Sequence, residues 1–336
     1  MKRKRSKAIL SLILAGLMGL TACGKSPNPE PAVRPSGESA ANGEAIVIGE
    51  PAANEESAAQ ITAGRVQLVT ETAVSSKEEP LSLINAEGLT LEERFMTPDG
   101  YERIPREMAS FQGYLRKQSL KPDGSKVLLY NGQEKGNQSA QAAVFEMPLF
   151  DSDLQQCADS VIRMYAEYFW TIGAYDQIAF HLTNGFHMDY PTWREGNRLK
   201  VDGNQVSWVK KAGYDDSYET FLLYLQYVMM YAGTLSLEEE CEPADLAEVQ
   251  AGDLFIRGGS PGHCVMVADV AEDEWGERCF LLAQGYMPAQ EFHILKNPLH
   301  EEDPWYYTKE AEDILNTPEY TFQPGSLKRW PGFISS

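Results

Sequence analysis

The chain has 336 residues, a formal net charge of −20, 43% hydrophobic residues and 10% aromatics. That apolar share is enough for a packed core and excludes a wholly disordered chain, while the acidic balance excludes nucleic acid as a partner, because phosphate binding draws on a surplus of Lys and Arg. The one apolar run suited to a bilayer lies at the extreme N-terminus, which excludes a polytopic membrane protein.

Lys2, Arg3, Lys4, Arg5 and Lys7 precede an apolar stretch from Ala8 to Leu20 that is short for a membrane span. Leu20-Thr21-Ala22-Cys23 follows. Placed after a basic and then an apolar segment, it resembles the lipobox of bacterial lipoproteins. The resemblance implies that residues 1–22 are a signal peptide cleaved before Cys23. It also implies diacylglycerol on the Cys23 thiol and an acyl chain (a palmitate, for example) on the new N-terminus. Two or three such chains anchor stably where one does not. Cleavage removes the basic residues, and the more acidic mature chain is repelled by anionic lipid. The membrane partner is then the lipid on Cys23, and the location is the cell membrane on its extracytoplasmic face.

Residues 23–80 are rich in Ala, Glu, Ser, Pro, Gly and Asn, as in Ser26-Pro27-Asn28-Pro29-Glu30-Pro31 and Pro51-Ala52-Ala53-Asn54-Glu55-Glu56. Such a composition buries too little apolar surface to offset its ordering entropy. It predicts a disordered tether whose reach grows as about 5–6 Å × √n.

Residues 81–336 read as a single globular domain. Leu91 to Phe95 reads as a short helix and Pro98-Asp99-Gly100-Tyr101 as a turn. Phe111 to Leu115 and Lys126 to Tyr130 alternate weakly, like strands. Asp151 to Trp170 is the clearest helix, with Cys157, Val161, Met164, Tyr165 and Tyr168 on one stripe. Gln177 to Thr183 reads as a strand, Arg198 to Val209 as a hairpin turning at Asp202-Gly203-Asn204, and Tyr218 to Ala232 as a helix preceded by Asp216-Ser217-Tyr218-Glu219, which resembles a capping box. Strands are expected at Asp253–Arg257, His263–Val270, Arg278–Gln284 and Glu291–Leu295. Helices first and a run of strands after them argue for an α+β fold. The acidic run Glu238-Glu239-Glu240 with Glu242 and Asp245 reads as a solvated loop, since it lacks EF-hand spacing.

The chain contains no CxxC, HExxH, GxSxG, Walker loop or GxGxxG, so no metal or cofactor is expected. What remains is a helix-borne cysteine followed later by a strand-borne histidine. The blocks Gln155 to Arg163, Thr183 to Phe186, Gly233 to Ser236, Gly252 to His263 and Ala283 to Gln290 resemble the bacterial family known as domain of unknown function 4846. The order of a cysteine on a helix, then Gly252-Asp253-Leu254-Phe255, then Gly262-His263 is similar to the NlpC-type cell-wall peptidases and the CHAP amidases. That likeness implies a papain-like core, with a central helix packed on an antiparallel sheet, plus insertions. It implies Cys157 as nucleophile and His263 as base. The usual Asp-Cys-Ser-Gly is here Gln156-Cys157-Ala158-Asp159, and the interval between Cys157 and His263 is long.

Strand alternation puts His263, Val265 and Val267 on one face and Cys264 and Met266 on the other, so Cys264 cannot be the partner of His263. A base needs a group that fixes its tautomer. A hairpin turning at Asp273-Glu274-Trp275-Gly276 brings Gln284 opposite Val265, diagonal to His263 and on its face. Gln284 is the first candidate to orient His263 and His293 the second. One residue of slip would turn Gln284 away. If the helix starts at Asp151, Cys157 lies in its second turn and the dipole helps little. If the first turn is distorted and the helix starts near Gln156, the dipole helps fully, and a neighbouring imidazolium would lower the Cys157 pKa further. The reading is an envelope cysteine hydrolase of amide bonds, with cell-wall peptide as the substrate class. The alternative is a catalytically inactive papain-like lipoprotein serving as a binding or assembly module, with Cys157 a small buried core residue.

Overall fold

The computed structural model describes residues 82–333. The chain divides into Met1–Ala73 and Val74–Ser336. The signal peptide at 1–22, the lipidated Cys23 and the tether at 23–80 lie outside the described residues.

Helix α1 (Leu91–Arg94) opens with a reciprocal cap. The Thr90 hydroxyl accepts the Glu93 N–H at 3.3 Å, and the Glu93 carboxylate accepts the Thr90 N–H at 3.2 Å. Strand β1 (Tyr101–Arg103) follows. Phe111 to Leu115, expected as a strand, is helix α2 (Phe111–Arg116). The Ser110 hydroxyl accepts the Gly113 N–H at 3.2 Å, and Phe111 and Leu115, four apart, both enter the core. Lys126 to Tyr130 forms only isolated bridges, at Leu128 and Leu129. After β2 (Gln141–Val144) comes α3 (Cys157–Thr171), which starts later than the expected Asp151.

The chain then adds a hairpin of β3 (Ala179–His181) and β4 (His187–Asp189), helix α4 (Tyr190–Arg194), and a hairpin of β5 (Asn197–Asp202) and β6 (Gln205–Lys210). The second hairpin turns at Gly203 with φ +59, which a residue without Cβ adopts freely. Helix α5 (Tyr218–Tyr231) is capped by the Ser217 hydroxyl on the Thr220 N–H at 3.2 Å. Helix α6 (Thr234–Glu240) contains most of the acidic run expected as a loop. Its carboxylates are tie points. Glu238 accepts the Gly258 N–H at 2.9 Å, and Glu240 accepts the Trp330 indole N–H at 3.0 Å.

Strands β7 (Glu242–Pro243), β8 (Leu254–Arg257), β9 (His263–Asp273), β10 (Arg278–Gln284), β11 (His293–Leu295) and β12 (Tyr306–Tyr307) come next. They are followed by α7 (Thr308–Ala311), a hairpin of β13 (Leu315–Asn316) and β14 (Thr321–Phe322), and β15 (Leu327–Arg329). A nine-stranded antiparallel sheet runs in the order β2-β11-β10-β9-β8-β15-β7, with β1 on β9 and β12 on β10. The protein is an α+β fold. No single helix among the described residues is long and apolar enough to cross a membrane.

Strand β9 is buried on both faces, so it reads as a nearly unbroken apolar run. Cys264, Met266 and Ala268 enter the larger core with Val161, Ile162 and Tyr165 of α3. Val265, Val267 and Val270 pack with Phe255, Phe280 and Phe322 in a second cluster. The β9–β10 register begins with Arg278 opposite Glu272. Continued unbroken, it would set Gln284 opposite Met266, on the α3 face. A bulge intervenes, because Leu281 pairs with Asp269 but Leu282 pairs with Val267. Ala283 then faces Met266, and Gln284 continues on the face of His263.

Candidate active site

Cys157 is the first residue of α3, after Gln156 in an extended conformation. The helix starts here because Asp159, at its third position, accepts the Gln156 N–H at 3.0 Å. The preceding residues are committed elsewhere: the Asp153 carboxylate accepts the Ala289 N–H at 2.6 Å. Gly285 lets the end of β10 approach this helix end. A Cβ on it would lie 2.4 Å from Ser160 Oγ and 2.8 Å from the Gln156 carbonyl oxygen.

Cys157, Asp159, His263, Tyr286 and Tyr320 line one cavity of about 540 Å³. The backbone N–H groups of Ala158, Cys157 and Cys264 bear on the Cys157 sulfur and favour the thiolate. The Cys264 amide is the one that follows His263 on β9, which ties the thiol to the start of that strand. Burial outweighs these donors and pushes the thiol up to about 11, with Asp159 adding to the rise. The expected low-pKa thiol is therefore not what the resting site holds. Burial likewise pushes His263 down to about 4, against the opposing pull of its Gln284 bond. The pair rests neutral, with no hydrogen bond between the two side chains among the described residues. Catalytic contacts commonly tighten only with substrate in place.

His263 is 2% exposed, and its ring is flanked by Tyr286 at 4.7 Å and Tyr320 at 5.0 Å between centroids. Its Nε2 lies 2.8 Å from Gln284 Oε1. The structure thus brings Cys157, His263 and Gln284 to one place. His293, the second candidate orienter, does not bond to His263. Its Nδ1 meets the Glu291 carbonyl at 2.8 Å, and its Nε2 lies 3.4 Å from Lys135 Nζ and 3.5 Å from Gln284 Nε2.

Two charges missed by sequence reasoning, the buried Lys135 and the half-buried Glu319, complete the site. Gln284 donates from Nε2 to Glu319 Oε2 at 2.6 Å, and Lys135 Nζ donates to the same oxygen at 2.5 Å. Asn137 donates to the other Glu319 oxygen at 3.1 Å. Glu319 sits in the turn between β13 and β14, 184 residues from Lys135, and no motif marks either residue. The aspartate of Gly252-Asp253-Leu254 is structural. It accepts two bonds from Arg329, at 2.7 and 2.8 Å, which hold β8 to β15.

Among the described residues no group of three His, Cys, Asp or Glu is placed to hold a metal ion. Cys157, Cys241, Cys264 and Cys279 are all free thiols. Chemically, the site offers a thiol at a helix N-terminus, whose first N–H groups lack intrahelical acceptors, beside an imidazole held by an amide. Such a set can attack a carbonyl carbon and protonate a leaving amine. A family model described as domain of unknown function (4846) matches residues 91–329. No curated protein and no solved structure matches the chain.

Proposed function

We propose that this chain, which belongs to the family described as domain of unknown function 4846, is an exported, lipid-anchored cysteine hydrolase of amide bonds with a papain-like site. The observation that carries this reading is the His263 imidazole. One ring nitrogen is taken by Gln284, and the ring lines the cavity in which Cys157 opens α3. In this mechanism His263 takes the proton from Cys157 as the sulfur attacks the carbonyl carbon. The imidazolium then protonates the leaving amine, and water hydrolyses the thioester to a carboxylate while regenerating the thiol. In this reading the N–H groups at the start of α3 receive the developing oxyanion. Stem peptides of the cell wall are the substrate class we favour, because Cys23 would hold the enzyme at the extracytoplasmic face of the membrane.

The test uses iodoacetamide at neutral pH with peptide mapping, alongside cell-wall stem peptides assayed for new amino termini. Cys157 is expected to label ahead of the buried Cys241, Cys264 and Cys279, and His263→Ala to slow that labelling at least ~10-fold. Stem peptides should be cut by the wild type and left intact by Cys157→Ala. Labelling of Cys157 indifferent to His263→Ala, with no cleavage, would sink the reading. It would favour the inactive binding module, for which the neutral, half-buried thiol and the neutral, buried imidazole already speak. The anchor is tested separately: Cys23→Ser should move the protein from the detergent phase to the aqueous phase.

A further inference from the structure

The two ends of a glutamine amide have nearly the same shape, so its neighbours must decide which end faces His263. Here one neighbour can only accept. The Glu319 carboxylate, ion-paired with Lys135, receives the Gln284 nitrogen at 2.6 Å. The second amide hydrogen of Gln284 points toward His293 Nε2 at 3.5 Å. That nitrogen is an acceptor, because the other ring nitrogen of His293 lies against the Glu291 carbonyl, which only a donor satisfies. Lys135, 3.4 Å from the same His293 nitrogen, is a second donor to it. Flipping Gln284 would set its carbonyl oxygen against a carboxylate and leave its nitrogen facing His263. The unflipped amide presents Oε1 to His263 Nε2 at 2.8 Å, so Nε2 carries the proton and Nδ1 keeps the lone pair that a base needs.

We propose that Glu319, with Lys135 as its counter-ion, is a positioning residue for the Cys157–His263 pair: it locks the Gln284 amide and thereby the tautomer of His263. This rests on the cysteine-hydrolase reading. The hairpin that delivers Glu319 is fixed for the purpose. The Thr317 N–H donates to the Tyr320 carbonyl at 2.8 Å, and the Tyr320 N–H donates to the Thr317 hydroxyl at 3.1 Å. Tyr320, next in sequence, lies against the His263 ring. One short turn thus supplies both the anchor of the orienter and a wall of the base.

The experiment pairs nitrogen NMR of the His263 ring with the rate of Cys157 alkylation by iodoacetamide. Wild type is expected to hold a single tautomer protonated at Nε2. Glu319→Gln, which can donate as well as accept, should give a mixture of tautomers, slow alkylation about tenfold and change its pH profile. Glu319→Asp, which remains an acceptor only, should restore most of the single tautomer. The NMR signal comes from folded protein, so a destabilised variant stays readable. If Glu319→Gln leaves both the tautomer and the alkylation rate unchanged while His263→Ala slows alkylation, the positioning role is overturned and the hydrolase reading stands. If His263→Ala has no effect on alkylation, the hydrolase reading fails, and the positioning claim, which rests on it, fails with it.

Discussion

Two buried charge clusters sit on the same hairpin, β9–β10, and they end differently. At the bulge, Asp269 accepts from Arg103 at 2.7 Å, Arg116 at 2.8 Å and Gln112 at 3.3 Å, and the arginines continue to backbone carbonyls of Phe95 and Ile104. At the open end, Lys135, Glu319 and Gln284 lead to His263, which lines a cavity. Both clusters remove charge from water and so need nearly complete pairing. The first terminates on backbone carbonyl groups, which do not titrate. The second terminates on a titratable ring beside a thiol. Burial and pairing do not tell the two networks apart; the place where each one ends does.

The sharpest way to break that comparison is at the bulge. Asp269→Asn leaves the buried Arg116 and the half-buried Arg103 short of a counter-charge and should lower stability by about 3–5 kcal/mol. The checking measurement is urea unfolding followed by fluorescence. The register correction beside Asp269 should loosen with it, so Gln284 should lose its place opposite Val265 and Cys157 alkylation should change as well. A loss under ~1 kcal/mol would mean that the cluster does not pin the bulge.

The same bulge shows how much of the site was legible. Alternation on β9 and a hairpin turn after Asp273 were enough to put Gln284 on the face of His263. That pattern implies one register throughout the hairpin. The true register is off by one residue near the turn and is restored by the bulge, so the right pairing is reached by a different path. In the sequence the start of α3 is open between Asp151 and Gln156. Only the Asp159 bond to the Gln156 N–H, and the tie of Asp153 to Ala289, move the start to Cys157. Phe111 and Leu115 fit both a strand and a helix over so short a window, and the Ser110 cap was the signal that decided it. Glu319 had no signal. A lone carboxylate after Thr317-Pro318 gains meaning only from Lys135 and Gln284, which the fold brings to it.

A milder test targets the contact that seats Cys157. Gly285→Ala places a methyl group against Ser160 Oγ and the Gln156 carbonyl. We expect a loss of about 1–3 kcal/mol in thermal unfolding, with the α3 N-terminus displaced and Cys157 alkylation altered. Adding Ser160→Gly should recover part of the loss, because the side-chain clash goes and the backbone clash stays. Additive losses in the double variant would show that the two positions do not meet.

The smallest expected effect is a gain. Asp159 lines the cavity beside Cys157. One of its oxygens caps α3, and the other is buried without a hydrogen-bond partner among the described residues. Burial pushes the carboxyl up to about 7, well above the unfolded value of about 3.9. The folded protein therefore holds a proton that the unfolded chain has released between these two values, and stability falls as pH rises across that window, by at most about 1.4 kcal/mol per pH unit. Asp159→Asn removes this titration and keeps an oxygen for the Gln156 N–H. His263, pushed down to about 4, titrates with the opposite sign over part of the same range, but it does so in both proteins and cancels in the difference. The variant should match the wild type near pH 4 and exceed it above pH 7, by on the order of 1 kcal/mol once water entering the cavity is allowed for. The Asp159 charge also raises the Cys157 thiol, so alkylation of the variant should be faster above pH 7. Urea titrations at a series of pH values decide the matter. Parallel curves for the two proteins from pH 4 to pH 8 would mean that Asp159 is ionised at no cost, with a partner or water satisfying its second oxygen.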